Sequence, residues 1–551
     1  MKLYKSSILA FAALALGACN DINDIEQFGG APTADQVQNT VSLIPSRANA
    51  DFVGMFTMMG DPGYTLGGRA DDFGFIMSAI SSDAEGPDLQ FPNSGYNWFS
   101  TCGELTSRTP TYANPFIRYS TPYAQIKIVN DLLRNYVSSE EDMDNEDVMK
   151  ELSEEAVNRI AQARALRAFD YEMLAPFFQF SYAAGAQDKP CVPIVTLATE
   201  DAANNPRATV AEVYAQIMKD LDWAIAHLDA QRDGKQYVNI DVAYGLRARA
   251  NLAMENWAAA AADAEMAMKG GYQPASIAAV STPSFYDIND ANWIWGYDMT
   301  DAVASHYSYA TWPSWLGVFS EDAYACGVGV YACINNLLYD KISDTDVRKG
   351  WWIDENLESP LLETVSWGGV SGKALAELKI SDVKEPYIPY TNVKFGAAKI
   401  PTATNEEDFP FMRVEEMILI QAEGLLKSGK DGDARKVLTD FVKNYRDPQY
   451  SIPSDRTLAD EIWFQRRVEL WGEGFGWTDM MRLNKPLVRI HDDKPSNYAD
   501  AFQFNLPAGD GWMLMRFPQQ ETNYNFGVVN NTDGQKPTSG LNGKLRDGVT
   551  D

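Results

Sequence analysis

One stretch, Asp241 to Tyr272, "DVAYGLRARANLAMENWAAAAADAEMAMKGGY", constrains the fold more than any other part of the chain. Tyr244, Ala248 and Leu252 recur at helical spacing, the pattern breaks at Glu255 and Asn256, and a second series follows with Trp257, Ala261, Ala264 and Met268. Two antiparallel helices with alanine on their facing sides can approach closely, and glycines close the second one, which is the build of a tetratricopeptide-like unit. A comparable pair runs from Arg413 to Arg446, with "SGKDGD" as its turn. Further helices are readable at 122–136, 154–177 and 206–229, and Thr209 followed by Glu212 offers a capping box to the last. The pairs are scattered rather than tandem. The expected fold is therefore mainly α: tetratricopeptide-like helix pairs forming a superhelical scaffold, with long irregular loop excursions and little β structure.

The excursions fall at about 60–115 and 275–400, dense in Gly, Pro, Ser, Asp and aromatic residues and without sustained helical period. Loops of this length inside a compact domain are usually functional. The chain holds 14 Trp and 26 Tyr, rich for a helical protein, so where those rings sit becomes the functional question.

At the start, "MKLYKSSILAFAALALGA" places Lys2 and Lys5 before an apolar run from Ile8 to Leu16, then two small residues and Cys19. This is too short to span a bilayer as a mature helix and reads as an export signal. It resembles a bacterial lipoprotein signal with Cys19 as the lipidated first residue of the mature chain. The following "NDINDIEQFGG" reads as a flexible tether, and is similar to the acidic surface-export signals of Bacteroidota lipoproteins. The expected organisation is a signal peptide at 1–18, a tether at 19–30 and a single domain at 31–551. No other stretch approaches 18 consecutive apolar residues.

Removing the signal takes away two lysines and no acid, moving the formal charge from -30 to -32. Such a surface repels nucleic-acid phosphate and anionic lipid. Cys102, Cys191, Cys326 and Cys333 form no CxxC pair, and only His227, His306 and His491 could join them, so no zinc site is expected. Four independent buried thiols, or a bridge between Cys326 and Cys333, remain open readings. "DINDAN" lacks the glycine and terminal glutamate of an EF-hand. No GxSxG elbow, HExxH or Walker loop occurs, and no catalytic residue, metal or cofactor is nominated.

Four stretches together resemble the SusD/RagB family of outer-membrane nutrient-binding lipoproteins. They are "AQARALRAFDYEMLAPFF" followed by "KPCVPIVT"; "PRATVAEVYAQIMKDLDWAIAHL"; "RVEEMILIQAEGLLKSG" with Ala422 and Glu423; and "IWFQRRVELWGEGFGWTDMMRLNK". In the last, Arg466, Arg467, Glu469, Leu470, Glu473, Gly474, Asp479 and Arg482 fall on the family pattern, whereas Gln465 replaces a usual glutamate and Gly476 a usual arginine. "RFPQQETNYN" matches in style. Taken alone, this fourth stretch shows Trp463, Arg467, Leu470, Trp471 and Phe475 as a stripe that wants burial, with Glu469 in helical reach of Arg466. Its charges read as a helix lock rather than a catalytic set. The resemblance implies a non-catalytic binding protein, lipid-anchored on the outer face of the outer membrane, that captures a nutrient, most often a glycan, and hands it to a SusC-like TonB-dependent transporter. A tethered chain stays near its barrel, so effective concentration replaces tight affinity.

Glycan recognition needs an exposed aromatic platform beside carboxylates, amides or guanidinium groups. The excursion from Phe285 to Phe319 offers Trp293, Trp295, Tyr297, Tyr307, Tyr309, Trp312 and Trp315 among Asp287, Asn289, Asp290, Asn292 and Asp298. The earlier excursion contributes "ISSDAEGPDLQFPNSGYNWFS", with Asp83, Tyr96, Asn97 and Trp98, similar to the Ser-Asp-Glu segment and aromatic loop that border the family's ligand groove; Ala84 interrupts the usual acidic pair. Trp98 and the Trp293–Tyr297 cluster are the leading candidates, with Asn97 and Asp290 as hydroxyl partners. Peptide binding, as in the RagB branch, is the runner-up. A surface glycoside hydrolase would need two carboxylates about 5 to 10 Å apart across a cleft, and no compact motif nominates such a pair. A stand-alone helical adaptor that binds only protein fits poorly with an export signal.

Overall fold

The computed structural model describes residues 46–306 and 309–551. Cys19, the signal and the tether lie outside the described residues, as does Tyr307. From Asp51 onward the helices pack largely against their sequence neighbours. They are α1 (Gly74–Glu85), α2 (Ala113–Arg134), α3 (Glu154–Phe178), α4 (Val210–His227), α5 (Ile240–Ala253), α6 (Trp257–Ala267), α7 (Val414–Lys427), α8 (Asp431–Tyr445), α9 (Leu458–Glu469) and α10 (Phe475–Arg482). Each of α2 to α7 packs on the next, α9 returns to α7, and α10 closes on α1.

The helix starts follow from side-chain capping of backbone N–H groups that have no intrahelical acceptor. Ser153 accepts from the Ala156 N–H at the start of α3, and Asn239 from the Val242 N–H at the start of α5. Thr209 and Glu212 form the expected capping box on α4. The expected break at Glu255 is a residue at φ 61, which reverses the chain between α5 and α6. At the α6–α7 crossing a Cβ on Gly424 would lie 2.5 Å from the Trp257 carbonyl oxygen, so the close approach read from the small residues requires a glycine there. The expected helix at 122 begins nine residues earlier, at Ala113, and runs through Pro122.

The two excursions are not open loops. The first contains α1, with every residue buried, so it shows no amphipathic period. The second threads the core as short helical turns and strands. β1 (Leu89–Gln90) pairs antiparallel with β3 (Cys333–Ile334), and β2 (Trp293–Tyr297) with β4 (Phe409–Arg413), placing Trp293 opposite Arg413 and Tyr297 opposite Phe409. Cys102, Cys191, Cys326 and Cys333 are separate buried thiols, and burial pushes each up to about 12.

Charges deep in the scaffold are matched. Arg164 and Arg167 on α3 both reach Asp220 on α4, at 2.9 and 2.7 Å. Around the end of α9, the cations Arg348, Lys394, Arg413 and Arg446 face the carboxylates Asp346, Glu415, Glu469 and Glu473, all buried. Glu469 does not pair with Arg466, as helical spacing suggested. It takes Arg446 at 2.8 Å, Arg413 at 3.1 Å and Arg348 at 3.2 Å, while Arg466 turns to Asp479 at 2.7 Å. Tertiary partners displace the local one because three guanidiniums converge where α9 ends. Gln465 still joins this lock, accepting from Arg348 and donating to Glu461 at 2.8 Å. Gly476, the other departure from the pattern, lets the Asp83 carboxylate come close: a Cβ there would lie 2.9 Å from Asp83 Oδ1.

Candidate functional site: an aromatic surface around Trp98

The segment after β1, Phe91 to Ser100, alternates rings that turn inward with rings that turn outward. Asn97 is the staple. It is buried, its Oδ1 accepts from the Phe99 N–H at 3.0 Å and its Nδ2 donates to the Pro92 carbonyl at 3.0 Å. Phe91 and Phe99 stack inside, with centroids 5.4 Å apart, and both meet Trp315 edge to face. Trp315 is fully buried and donates its indole N–H to the Ala70 carbonyl at 3.0 Å. On the outer side Tyr96 is 59% exposed and Trp98 is half-buried.

The second excursion supplies the other half of this surface. Tyr324 lies flat on Trp315, with centroids 4.3 Å apart and planes 6° from parallel, and Tyr309 is 37% exposed. Burial raises the Tyr324 phenol above its ordinary value, a hydrogen bond from Trp98 opposes that rise, and the fields of Tyr309, Asp71 and Tyr96 add to it. Those four groups thus lie within electrostatic reach of one ring. Arg69 covers Trp98 at 4.9 Å from the ring centroid and binds Asp71 through two bonds of 2.9 and 3.0 Å. Burial raises the Asp71 carboxyl although Arg69 opposes it. The result is a set of tyrosine and tryptophan faces with a guanidinium at its edge, a match for the C–H faces and peripheral hydroxyls of a sugar.

The other expected site residues have different roles. Trp293, Trp295, Trp312 and Trp315 are fully buried and Tyr297 is 5% exposed, so the leading Trp293–Tyr297 cluster is core rather than platform. Every residue of β2 is buried: Trp295 donates to the Gln236 carbonyl and meets Phe169 edge to face at 5.1 Å, while the Tyr297 hydroxyl donates to the Thr57 carbonyl. Trp312 donates to the Glu407 carbonyl at 2.7 Å. An alternation of rings and acids does not separate a polar loop from a buried strand flanked by polar turns. Asp83 is buried and joins α1 to α10, accepting from the Gly474 and Gly476 N–H groups at 3.1 and 2.7 Å; burial pushes its carboxyl up to about 7. Asp290 is exposed in the turn leading into β2. Arg69, Asp71 and Tyr324 are absent from the sequence reading; only the length of the two excursions hinted that they would meet.

Comparison with known proteins agrees with this architecture. A family model described as starch-binding and associating with the outer membrane matches residues 79–252, and the SusD family model matches residues 340–542. Together they span more than half of the chain, which belongs to the SusD/RagB family. Among solved structures, a SusD-like carbohydrate binding protein from Bacteroides vulgatus ATCC 8482 is 22% identical, with a TM-score of 0.70 over 88% of this chain and 96% of that one. A SusD superfamily protein from Bacteroides thetaiotaomicron VPI-5482 is 20% identical, with a TM-score of 0.67 over 88% of this chain and 99% of that one. One from Bacteroides fragilis is 19% identical, with a TM-score of 0.65 over 88% and 98%. At these identities the likeness carries the fold. No curated relative matches the chain. No helix among the described residues is long and apolar enough to cross a membrane.

Proposed function

We propose that the protein binds a glycan at the surface formed by Tyr96, Trp98, Tyr309 and Tyr324, without transforming it, and passes it to a SusC-like TonB-dependent transporter. The observation that carries this reading is the gathering of four rings from two distant excursions, with Arg69 over Trp98. The starch-binding description of the family model supports a carbohydrate ligand. Binding without turnover fits the chemistry of the surface, because Asp71 is held by two nitrogens of Arg69, Nε and Nη2, and acts as its orienting partner rather than as a nucleophile. Attachment through a lipid on Cys19, facing the cell exterior, would keep this surface at the transporter, since a tether raises the effective concentration of one partner at the other.

Affinity electrophoresis through gels containing purified polysaccharides, starch among them, tests the reading. The unmodified protein is expected to be retarded by at least one glycan, and Trp98→Ala to migrate as in an empty gel. Retardation by none, or equal retardation of both proteins, contradicts it. Retention of peptides instead would favour the peptide-binding alternative.

A further inference from the structure

Away from the Trp98 surface, the scaffold holds a cavity of about 120 Å³, open at one rim, between α3, α5, α7, α9 and α10. Its walls are largely apolar, built from Phe75, Phe169, Met173, Phe411, Ile420 and Phe475. None of these belongs to the glycan surface. An apolar cavity of about 150 Å³ accommodates benzene; this one is somewhat smaller but open at its rim, which leaves room for a single small ring with its substituent toward the mouth. Met173, Pro176 and Thr478, on α3 and α10, are half-buried and form its rim.

The polar part of the wall is almost complete in itself. Arg249 is paired with Glu416 at 2.7 Å, Arg466 with Asp479 at 2.7 Å, and Arg482 with Glu423 at 2.6 Å, while Glu473 belongs to the lock at the end of α9. Two atoms remain. Arg466 Nη1, on a side chain 2% exposed, and Glu172 Oε1 are buried without a hydrogen-bond partner, and both residues line the cavity. Buried polar groups are nearly always satisfied, so each such exception calls for an explanation. The three guanidiniums are already matched by three carboxylates, so an anionic ligand would find no spare cation. Burial pushes the Glu172 carboxyl well above its ordinary range, Arg249 opposing and Glu416 adding, which disfavours the charged form a cationic ligand would pair with.

We propose that this cavity binds a small neutral molecule, an aromatic or branched aliphatic body carrying one hydroxyl or carboxamide whose proton is donated to Glu172 Oε1. The apolar walls take the body, and the polar end completes the unfilled hydrogen bond at Glu172.

Isothermal titration of the full chain with benzyl alcohol and benzamide, against benzoate and benzylamine, tests the proposal. At least one neutral probe is expected to give saturable heat, and the charged probes to bind at least tenfold more weakly. Glu172→Leu removes the polar partner and Ala253→Leu fills the wall; each is expected to weaken the neutral probe tenfold or more. Absence of binding by both neutral probes, equal binding of the charged ones, or full affinity in both variants overturns the proposal. Crystals of the unmodified protein soaked in benzyl alcohol serve if a variant does not fold. Density between Phe169 and Phe475 supports the site, and density only elsewhere refutes it.

Discussion

Replacing Glu469 by glutamine removes one charge from the buried lock and changes nothing in size. The lock contains four cations and four carboxylates, so the variant leaves one guanidinium charge uncompensated in a dry site. The amide also points an N–H group at guanidinium N–H groups that now approach a carboxylate oxygen at 2.8 Å. Breaking a buried ion pair by removing one partner costs about 3–5 kcal/mol. Unfolding entropy near 2.1 cal/mol/K per residue, over roughly 500 residues, is about 1 kcal/mol/K, so the midpoint should fall by about 3–5 °C at neutral pH. The pH dependence follows from the sign of the shift. Burial alone would raise the Glu469 pKa, but Arg446, Arg413 and Arg348 outweigh it and hold the carboxyl well below its ordinary 4.5. A depressed acid contributes stability above its unfolded pKa and loses it as pH falls toward the folded value. Calorimetric midpoints of the two proteins should therefore differ most near pH 7 and converge below about pH 4.5. A difference under about 1 °C at pH 7, or a gap that widens in acid, would refute the reasoning.

Three further outcomes follow from the packing. Gly424→Ala sets a methyl against the Trp257 carbonyl at the α6–α7 crossing and should destabilise by about 1–3 kcal/mol despite alanine's better helix propensity; a raised midpoint in thermal melts would contradict the close crossing. Burial lifts Asp83 to about 7, so the native state holds a proton that the unfolded state releases, and this contribution fades as pH rises from about 4 to 7. Asp83→Asn should therefore gain on the unmodified protein in melts taken at pH 5 and then at pH 8, and a constant difference would count against it. Trp295→Ala should cost about 3–5 kcal/mol as a core truncation, yet leave glycan retardation of the folded protein unchanged; loss of retardation at full stability would return Trp295 to the binding surface.

The scaffold is far more legible in the sequence than the surface it carries. The α5–α6 and α7–α8 pairs are written in local spacing, and Thr209 with Glu212 marks the start of α4, because helix periodicity and capping involve residues three or four apart. α1 is illegible for the same reason: buried on all sides, it has no polar face to reveal a period. Trp98 and Tyr96 are found by their aromatic loop, whereas Trp293 and Trp295 occur in an equally aromatic segment and face inward. What separates the two segments is the pairing of β2 with β4, more than a hundred residues away. Glu469 teaches the same lesson for charge, since its three partners come from positions 348, 413 and 446 rather than from its own helix. The meeting of Arg69 with Trp98 and of Tyr324 with Trp315 is likewise a property of the folded chain.

The most direct test is a crystal structure of the protein with a glycan that retards it in affinity gels. A sugar ring lying within about 4 Å of the exposed face of Trp98, with Tyr96 or Tyr324 against a neighbouring unit and Arg69 donating to a hydroxyl, is the predicted result. A glycan bound elsewhere, for example in the open cleft lined by Tyr339, Lys349 and Glu358, with Trp98 untouched, would contradict the assignment.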